Sequence, residues 1–167
     1  MLRETLGIFM LLVLVHTPTL ADEFARKVPM REKGAATYYV PTHFHQGSGE
    51  DFMVDTGSSY LVINERTLTS LKEKGHAEYV KKVSGLMADG SRSIVPIYRI
   101  ASLSIGCCCL VRDVEAAVLP GSTRQILGLS ALRKVAPFAL SVEPPSLMLS
   151  NCEAGAKTGA FPTAPSF

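Results

Sequence analysis

Asp55 stands inside an otherwise apolar stretch, Phe52-Met53-Val54-Asp55-Thr56-Gly57-Ser58-Ser59-Tyr60-Leu61-Val62-Ile63, and a hydroxyl residue and a glycine follow it at once. The flanking runs, rich in Val, Ile, Phe and Tyr, read as two strands, so Asp55-Thr56-Gly57-Ser58 is a tight loop whose backbone is fixed from both sides. Hydrolysing a peptide bond with neither a metal nor a covalent intermediate requires that water lose a proton while the carbonyl oxygen gains one. Two adjacent carboxyl groups sharing one proton can do both; one cannot. The chain has five aspartates, Asp22, Asp51, Asp55, Asp89 and Asp113, and only Asp55 precedes Thr-Gly or Ser-Gly. For that chemistry the second carboxyl group has to be Asp55 of another copy, brought close by a two-fold axis.

Other groupings carry less. His43 and His45 could share a strand face, but no third ligand stands at an evident spacing, so exposed hairpin residues are expected and no metal is assigned. Gly47-Ser48-Gly49-Glu50 lacks the Lys-Ser/Thr and following helix of a phosphate loop, which removes nucleotide binding. Cys107, Cys108, Cys109 and Cys152 suit an oxidising compartment without forming a small-domain disulfide framework. On a strand, Leu103, Ile105, Cys107, Cys109 and Val111 share one face, so Cys107 and Cys109 are expected in the core as small hydrophobes. A bridge from Cys107, Cys108 or Cys109 to Cys152 is the alternative, and metal binding a third.

The elements that must position Asp55 follow from local chemistry. A chain of 167 residues, 47% hydrophobic and 19% charged, builds one domain with a core. Thr37 to Val40 is strand-like, Pro41 suggests an edge or bulge, and Gln46-Gly47-Ser48-Gly49 supplies a turn into Phe52-Met53-Val54. Asn64 can cap a helix from Glu65 to Lys74 that Gly75 stops. Tyr79 to Ser84 and Ile94 to Tyr98 flank an Asp89-Gly90 turn. Further strands run from Ala101 to Leu110 and from Asp113 to Leu119. Ile126-Leu127-Gly128 then leads into a short helix ended by Pro137, and Phe138 to Val142 and Ser146 to Leu149 form a last pair.

At the N-terminus, an apolar run from Leu6 to Val15 stands between Arg3 and Thr17-Pro18-Thr19-Leu20-Ala21, the shape of a secretory signal peptide cleaved after Ala21. If retained, it anchors the chain in the inner membrane. Either way the expected location is periplasmic or secreted. The expected organisation is a signal or anchor at 1–21, a linker at 22–35, a folded domain at 36–150 and a flexible tail at 151–167. The formal net charge of +2, with no basic cluster larger than Lys81-Lys82, excludes a nucleic-acid partner.

Asp55-Thr56-Gly57-Ser58 between hydrophobic strands resembles the active-site loop of aspartic proteases, and a single copy in a short chain is similar to the retropepsin-like branch. Ile126-Leu127-Gly128 matches the hydrophobic-hydrophobic-Gly element of that fold, and the hairpin with Ala88, Asp89 and Gly90 at its tip stands where such enzymes carry a flap over the substrate. The resemblance spans Ala36 to Ser150. It implies an all-β, retropepsin-like closed barrel of short strands with a flap hairpin and one or two short helices. It also implies an aspartic endopeptidase that acts on peptide or protein substrates as a homodimer and needs no cofactor. In that reading Asp55 is catalytic, the Thr56 hydroxyl bonds across the dimer, and Gly57 permits the turn with its N–H toward a carboxylate. Ser58 offers a further hydrogen bond to ionised Asp55, so that Ser58→Ala is expected to raise the acid limb of the pH profile. The alternatives are a non-catalytic binding domain on the same fold and a cysteine-based thiol or metal-handling protein.

Overall fold

Apolar residues alternating with polar ones build strands from end to end of the described chain, residues 24–44 and 49–154 of a computed structural model. The strands are β1 (Arg26–Pro29), β2 (Arg31–Glu32), β3 (Tyr38–His43), β4 (Glu50–Val54), β5 (Leu61–Asn64), β6 (Ala77–Leu86), β7 (Arg92–Ile105), β8 (Cys109–Leu119), β9 (Ile126–Leu127), β10 (Phe138–Val142), β11 (Pro145–Leu149) and β12 (Glu153–Ala154). Two short helices interrupt them, α1 (Glu65–Glu73) and α2 (Leu129–Leu132), the second continuing as a 3-10 turn over Arg133–Val135. Asn64 caps α1 as expected, its side-chain oxygen accepting the Thr67 N–H at 2.9 Å. Gly75, at φ +69°, takes the left-handed conformation just beyond the helix.

The larger sheet runs β12-β8-β5-β9-β4-β3-β7-β6, with β2 on β3. Strand β7 pairs with β3 through Ile105 and Ser104 and with β8 from Ile97 to Ile105. The pairings β8-β5-β9-β4-β3-β7 therefore return to β8 and form a ring. Its inward residues, among them Val40, Phe52, Leu61, Ile63, Leu103 and Leu127, are buried in one core. A three-stranded sheet, β1-β11-β10, packs on that core through Val28, Leu147 and Leu149.

Three expectations are corrected. Residues 26–32 are not a linker: β1 pairs with β11 and β2 with β3, and Val28 and Met30 are buried. Spaced two apart, they form the apolar face of a strand whose other residues are charged. The segment from Ala101 is not one strand through Leu110, because Gly106 turns the chain at φ +64°. Cys107 is consequently exposed rather than in the core and is bonded to Cys108, whereas buried Cys109 is bonded to Cys152. The bridge to Cys152 and the pairing of β12 with β8 place residues 151–154 in the fold, not in a tail. Gly106 is needed twice over, since a Cβ there would also lie 2.7 Å from Val28 of β1. Pro41 sits where β3 changes neighbours, β2 reaching Tyr39 and β7 beginning at Thr42, so its missing N–H interrupts no ladder. The segment 1–21, the turn residues Gln46, Gly47 and Ser48, and 155–167 lie outside the described residues.

The N-terminal segment is held to β4 by charge as well as by pairing. Asp51 accepts from Arg31 and, at 2.7 Å, from Lys33. Burial pushes the Asp51 carboxyl up, but hydrogen bonds and charge from Lys33 and Arg31 outweigh it and hold the group below the usual carboxylate range. A carboxyl depressed in the folded state adds stability above its unfolded pKa, and that stability is lost as pH falls through the folded value. Asp51→Asn is expected to lower stability near neutral pH by about 1 kcal/mol. The deficit should vanish near pH 2, which is below the carboxylate range. Denaturant titration at both pH values checks this, and a deficit that persists in acid contradicts it.

Candidate active site

Strand β9 is only two residues long, yet it is parallel to β4, with Met53 opposite Ile126 and Val54 opposite Leu127, and antiparallel to β5, with Val62 opposite Ile126. It fills the gap that opens where β4 and β5 diverge. Their connection, Asp55 to Tyr60, arches over its end. The Asp55 N–H donates to the Leu127 carbonyl at 3.2 Å, and the Leu129 N–H donates to the Ser58 carbonyl at 2.8 Å. Gly128 lies so close beneath the loop that a Cβ there would fall 2.0 Å from the Tyr60 oxygen and 2.8 Å from the Ser58 oxygen. Only a residue with no side chain fits. Ile126, Leu127 and Gly128 therefore stand under the loop, where the sequence reading put them.

Within the loop, the Gly57 N–H donates to Asp55 Oδ1 at 2.8 Å and the Ser58 N–H to the Asp55 carbonyl at 3.3 Å. The carboxylate is oriented by its own turn and left half-exposed, with Thr56 and Gly57 exposed beside it. Ser58 departs from its expected role. Its hydroxyl donates to the Tyr60 carbonyl at 2.8 Å, closing the far side of the turn, and a single hydroxyl proton cannot also serve Asp55.

One residue of this support went unread in the sequence. Ser130 Oγ accepts the Leu61 N–H at 2.7 Å and donates to the Glu115 carbonyl at 2.6 Å, joining the start of β5 to β8 through α2. Nothing local marks Ser130, because both partners are distant in sequence.

The hairpin β6–β7 stands next to the loop at its base. Val83, Met87, Val95 and Ile97 on one face pack in a second apolar cluster with Val62, Tyr60 and Ile126. Lys81 Nζ lies 3.1 Å from Glu115, and Glu115 together with Tyr60 raises the Lys81 ammonium above its usual value. At the tip, Ala88, Asp89 and Gly90 are exposed. The Ser91 N–H donates to Asp89 Oδ1 at 2.9 Å, and the Ser91 side chain first, then this N–H, hold the Asp89 carboxyl below its ordinary value. The tip is thus a tied turn, with Gly90 at φ +82°. Of the two histidines considered for a metal, His43 packs its ring against Gly49 and His45 lies outside the described residues.

A family model described as aspartyl protease matches residues 42–131, more than half of the chain. That span runs from β3 through the Asp55 loop and the hairpin to α2. Among solved structures, a retropepsin-like aspartic protease from Rickettsia conorii superposes with a TM-score of 0.54 at 17% identity, over 74% of this chain and 90% of the other. At that identity the likeness establishes the fold. No curated protein matches the chain.

The close passage at Gly128 yields a direct expectation. Gly128→Ala forces two backbone segments apart and is expected to cost about 3 kcal/mol, the upper range for overpacking. An unchanged midpoint in chemical denaturation contradicts the described contact.

Proposed function

The chain belongs to the retropepsin-like aspartyl protease family, and from that premise we propose that it is an endopeptidase whose water is activated between two Asp55 carboxyl groups of a homodimer. The observation that carries this reading is a half-exposed carboxylate on a loop fixed from beneath by Leu127, Gly128 and Leu129, with its own Gly57 N–H aligned on Oδ1. Asp51 and Asp89 are engaged elsewhere, with Arg31 and Lys33 and with Ser91. Asp113 is exposed on β8 at a left-handed backbone position. These engagements among the described aspartates support a second carboxyl group supplied by a second copy.

In the proposed cycle one Asp55 is ionised and the other protonated. The ionised carboxylate takes a proton from water as the oxygen attacks the peptide carbon, and the protonated carboxyl gives its proton to the carbonyl oxygen. The gem-diol collapses as one carboxyl gives its proton to the amide nitrogen and the other carboxylate takes a hydroxyl proton from the gem-diol; the C–N bond breaks, and the pair again holds one proton. In this reading the exposed Thr56 hydroxyl bonds across the two-fold axis, and the β6–β7 hairpin covers an extended substrate. The two disulfides support an oxidising compartment, consistent with export by residues 1–21 to the periplasm.

Peptide mixtures incubated from about pH 3 to about pH 8 test this reading. Wild-type cleavage per mole of chain is expected to rise with protein concentration, and Asp55→Asn is expected to reduce it to the uncatalysed rate. Cleavage that survives Asp55→Asn removes Asp55 from the chemistry. Because the Ser58 hydroxyl is committed to Tyr60, Ser58→Ala should leave the acid limb in place while lowering stability by about 1 kcal/mol. A displaced acid limb would restore a direct bond between Ser58 and Asp55.

A further inference from the structure

The proposed hydrolysis of peptides leaves the cysteine triplet unused, and the fold divides its sulfurs between two unlike bonds. Cys109 and Cys152, 43 positions apart, tie β12 to β8, and the Cys109 end of their bond is 1% exposed. A disulfide stabilises chiefly through the loop it closes in the unfolded chain, so this bond has a structural reason. Cys107 and Cys108 are neighbours already joined by a peptide bond, and their disulfide closes no such loop. Nor does the β7–β8 turn depend on it. Ile105 pairs with Cys109 across the turn, Gly106 takes its left-handed position, and the Gly106 N–H donates to the Pro41 carbonyl at 2.8 Å. The neighbour bond is also open to solvent, with Cys107 exposed and Cys108 half-buried. No charged residue lies from Ala101 to Val111, and Glu153, opposite Leu110, is paired with Arg112 at 2.9 Å. An approaching thiolate therefore meets no unpaired carboxylate on the turn. Exposed disulfides are the ones that exchange, whereas buried staples resist reduction.

We propose that Cys107–Cys108 is a thiol–disulfide exchange site whose co-substrate is a protein dithiol. One thiolate of the dithiol attacks the exposed Cys107 Sγ. The Cys107–Cys108 bond breaks, and its electron pair goes to Cys108 Sγ, which takes a proton from water. The second thiolate of the dithiol then attacks its own partner sulfur in the mixed disulfide, and Cys107 leaves as a thiolate and is protonated. The dithiol is oxidised to a disulfide and the cysteine pair is reduced to two thiols, with two electrons and two protons transferred. The second thiol of the co-substrate is essential. With a monothiol, the Cys108 thiolate stands one residue from the mixed disulfide and displaces the monothiol again. The exchange site is separate from the hairpin beside Asp55: β7 runs from the β6–β7 turn at Arg92 to Ile105, so the two turns stand at its opposite ends, about 40 Å apart at the rise of a strand.

The oxidised full chain, incubated with reduced thioredoxin as the protein dithiol or with reduced glutathione at equal thiol concentration, tests the proposal. Alkylation followed by peptide mass spectrometry locates the thiols. Thioredoxin should release two thiols per chain, at Cys107 and Cys108, at least 100-fold faster than at Cys109 and Cys152, and far more of them than glutathione accumulates. Oxidised glutathione should then restore the same pair. The double variant Cys107→Ser/Cys108→Ser should consume no thioredoxin thiols and keep the wild-type midpoint in chemical denaturation. First release at Cys109 and Cys152, equal release by glutathione, failure to re-form the pair, or a lowered midpoint in the double variant overturns the proposal, the last by making the bond a structural staple. Exchange should be identical in Asp55→Asn, so the failure of this inference and the failure of the protease reading are separate results.

Discussion

The structure depends on one close approach, the passage of the Gly128 backbone beneath the carbonyl oxygens of Ser58 and Tyr60. Because nothing projects from Gly128, β9 can lie between β4 and β5 and pair with both, parallel to one and antiparallel to the other. That insertion completes the ring of strands. It also supplies Leu127 and Leu129 as backbone partners for the two ends of the Asp55 loop. Fold and site therefore share one constraint, and the carboxylate is held in place by the same contacts that close the barrel.

For the proposed chemistry one chain is incomplete by itself. Asp55 has a loop, a hairpin beside it and an orienting N–H, but a single carboxyl group cannot both accept a proton from water and donate one to a carbonyl. In the proposed reading a second copy supplies the other carboxyl group.

Much of this was legible in the sequence because it is local. Asp55-Thr56-Gly57 between apolar runs, Ile126-Leu127-Gly128, the Asn64 cap and the Asp89-Gly90 turn each announce themselves within a few residues, and at these positions the structure forms a loop, a close backbone passage, a helix cap and a turn. What the sequence concealed depends on distant partners. Val28 and Met30 stand among Arg26, Lys27, Arg31 and Lys33, so their strand face is hidden by charge until β11 and β3 are beside it. The cysteine triplet reads as one strand only if Gly106 continues that strand. Its left-handed turn instead divides the triplet between a hairpin tip and the core. Ser58 looked like a partner for Asp55 by proximity, whereas the turn geometry gives its proton to Tyr60. Ser130 had no signal, since its hydroxyl joins segments far apart in the chain.

The central claim is that one site is built from two chains. Calorimetric titration of the purified protein with a peptide bearing a tetrahedral hydroxyl group in place of the scissile carbonyl counts those sites directly. The account predicts one such peptide bound per two chains, with binding lost in Asp55→Asn. Saturation at one peptide per chain would contradict it, because each chain would then carry a complete site of its own.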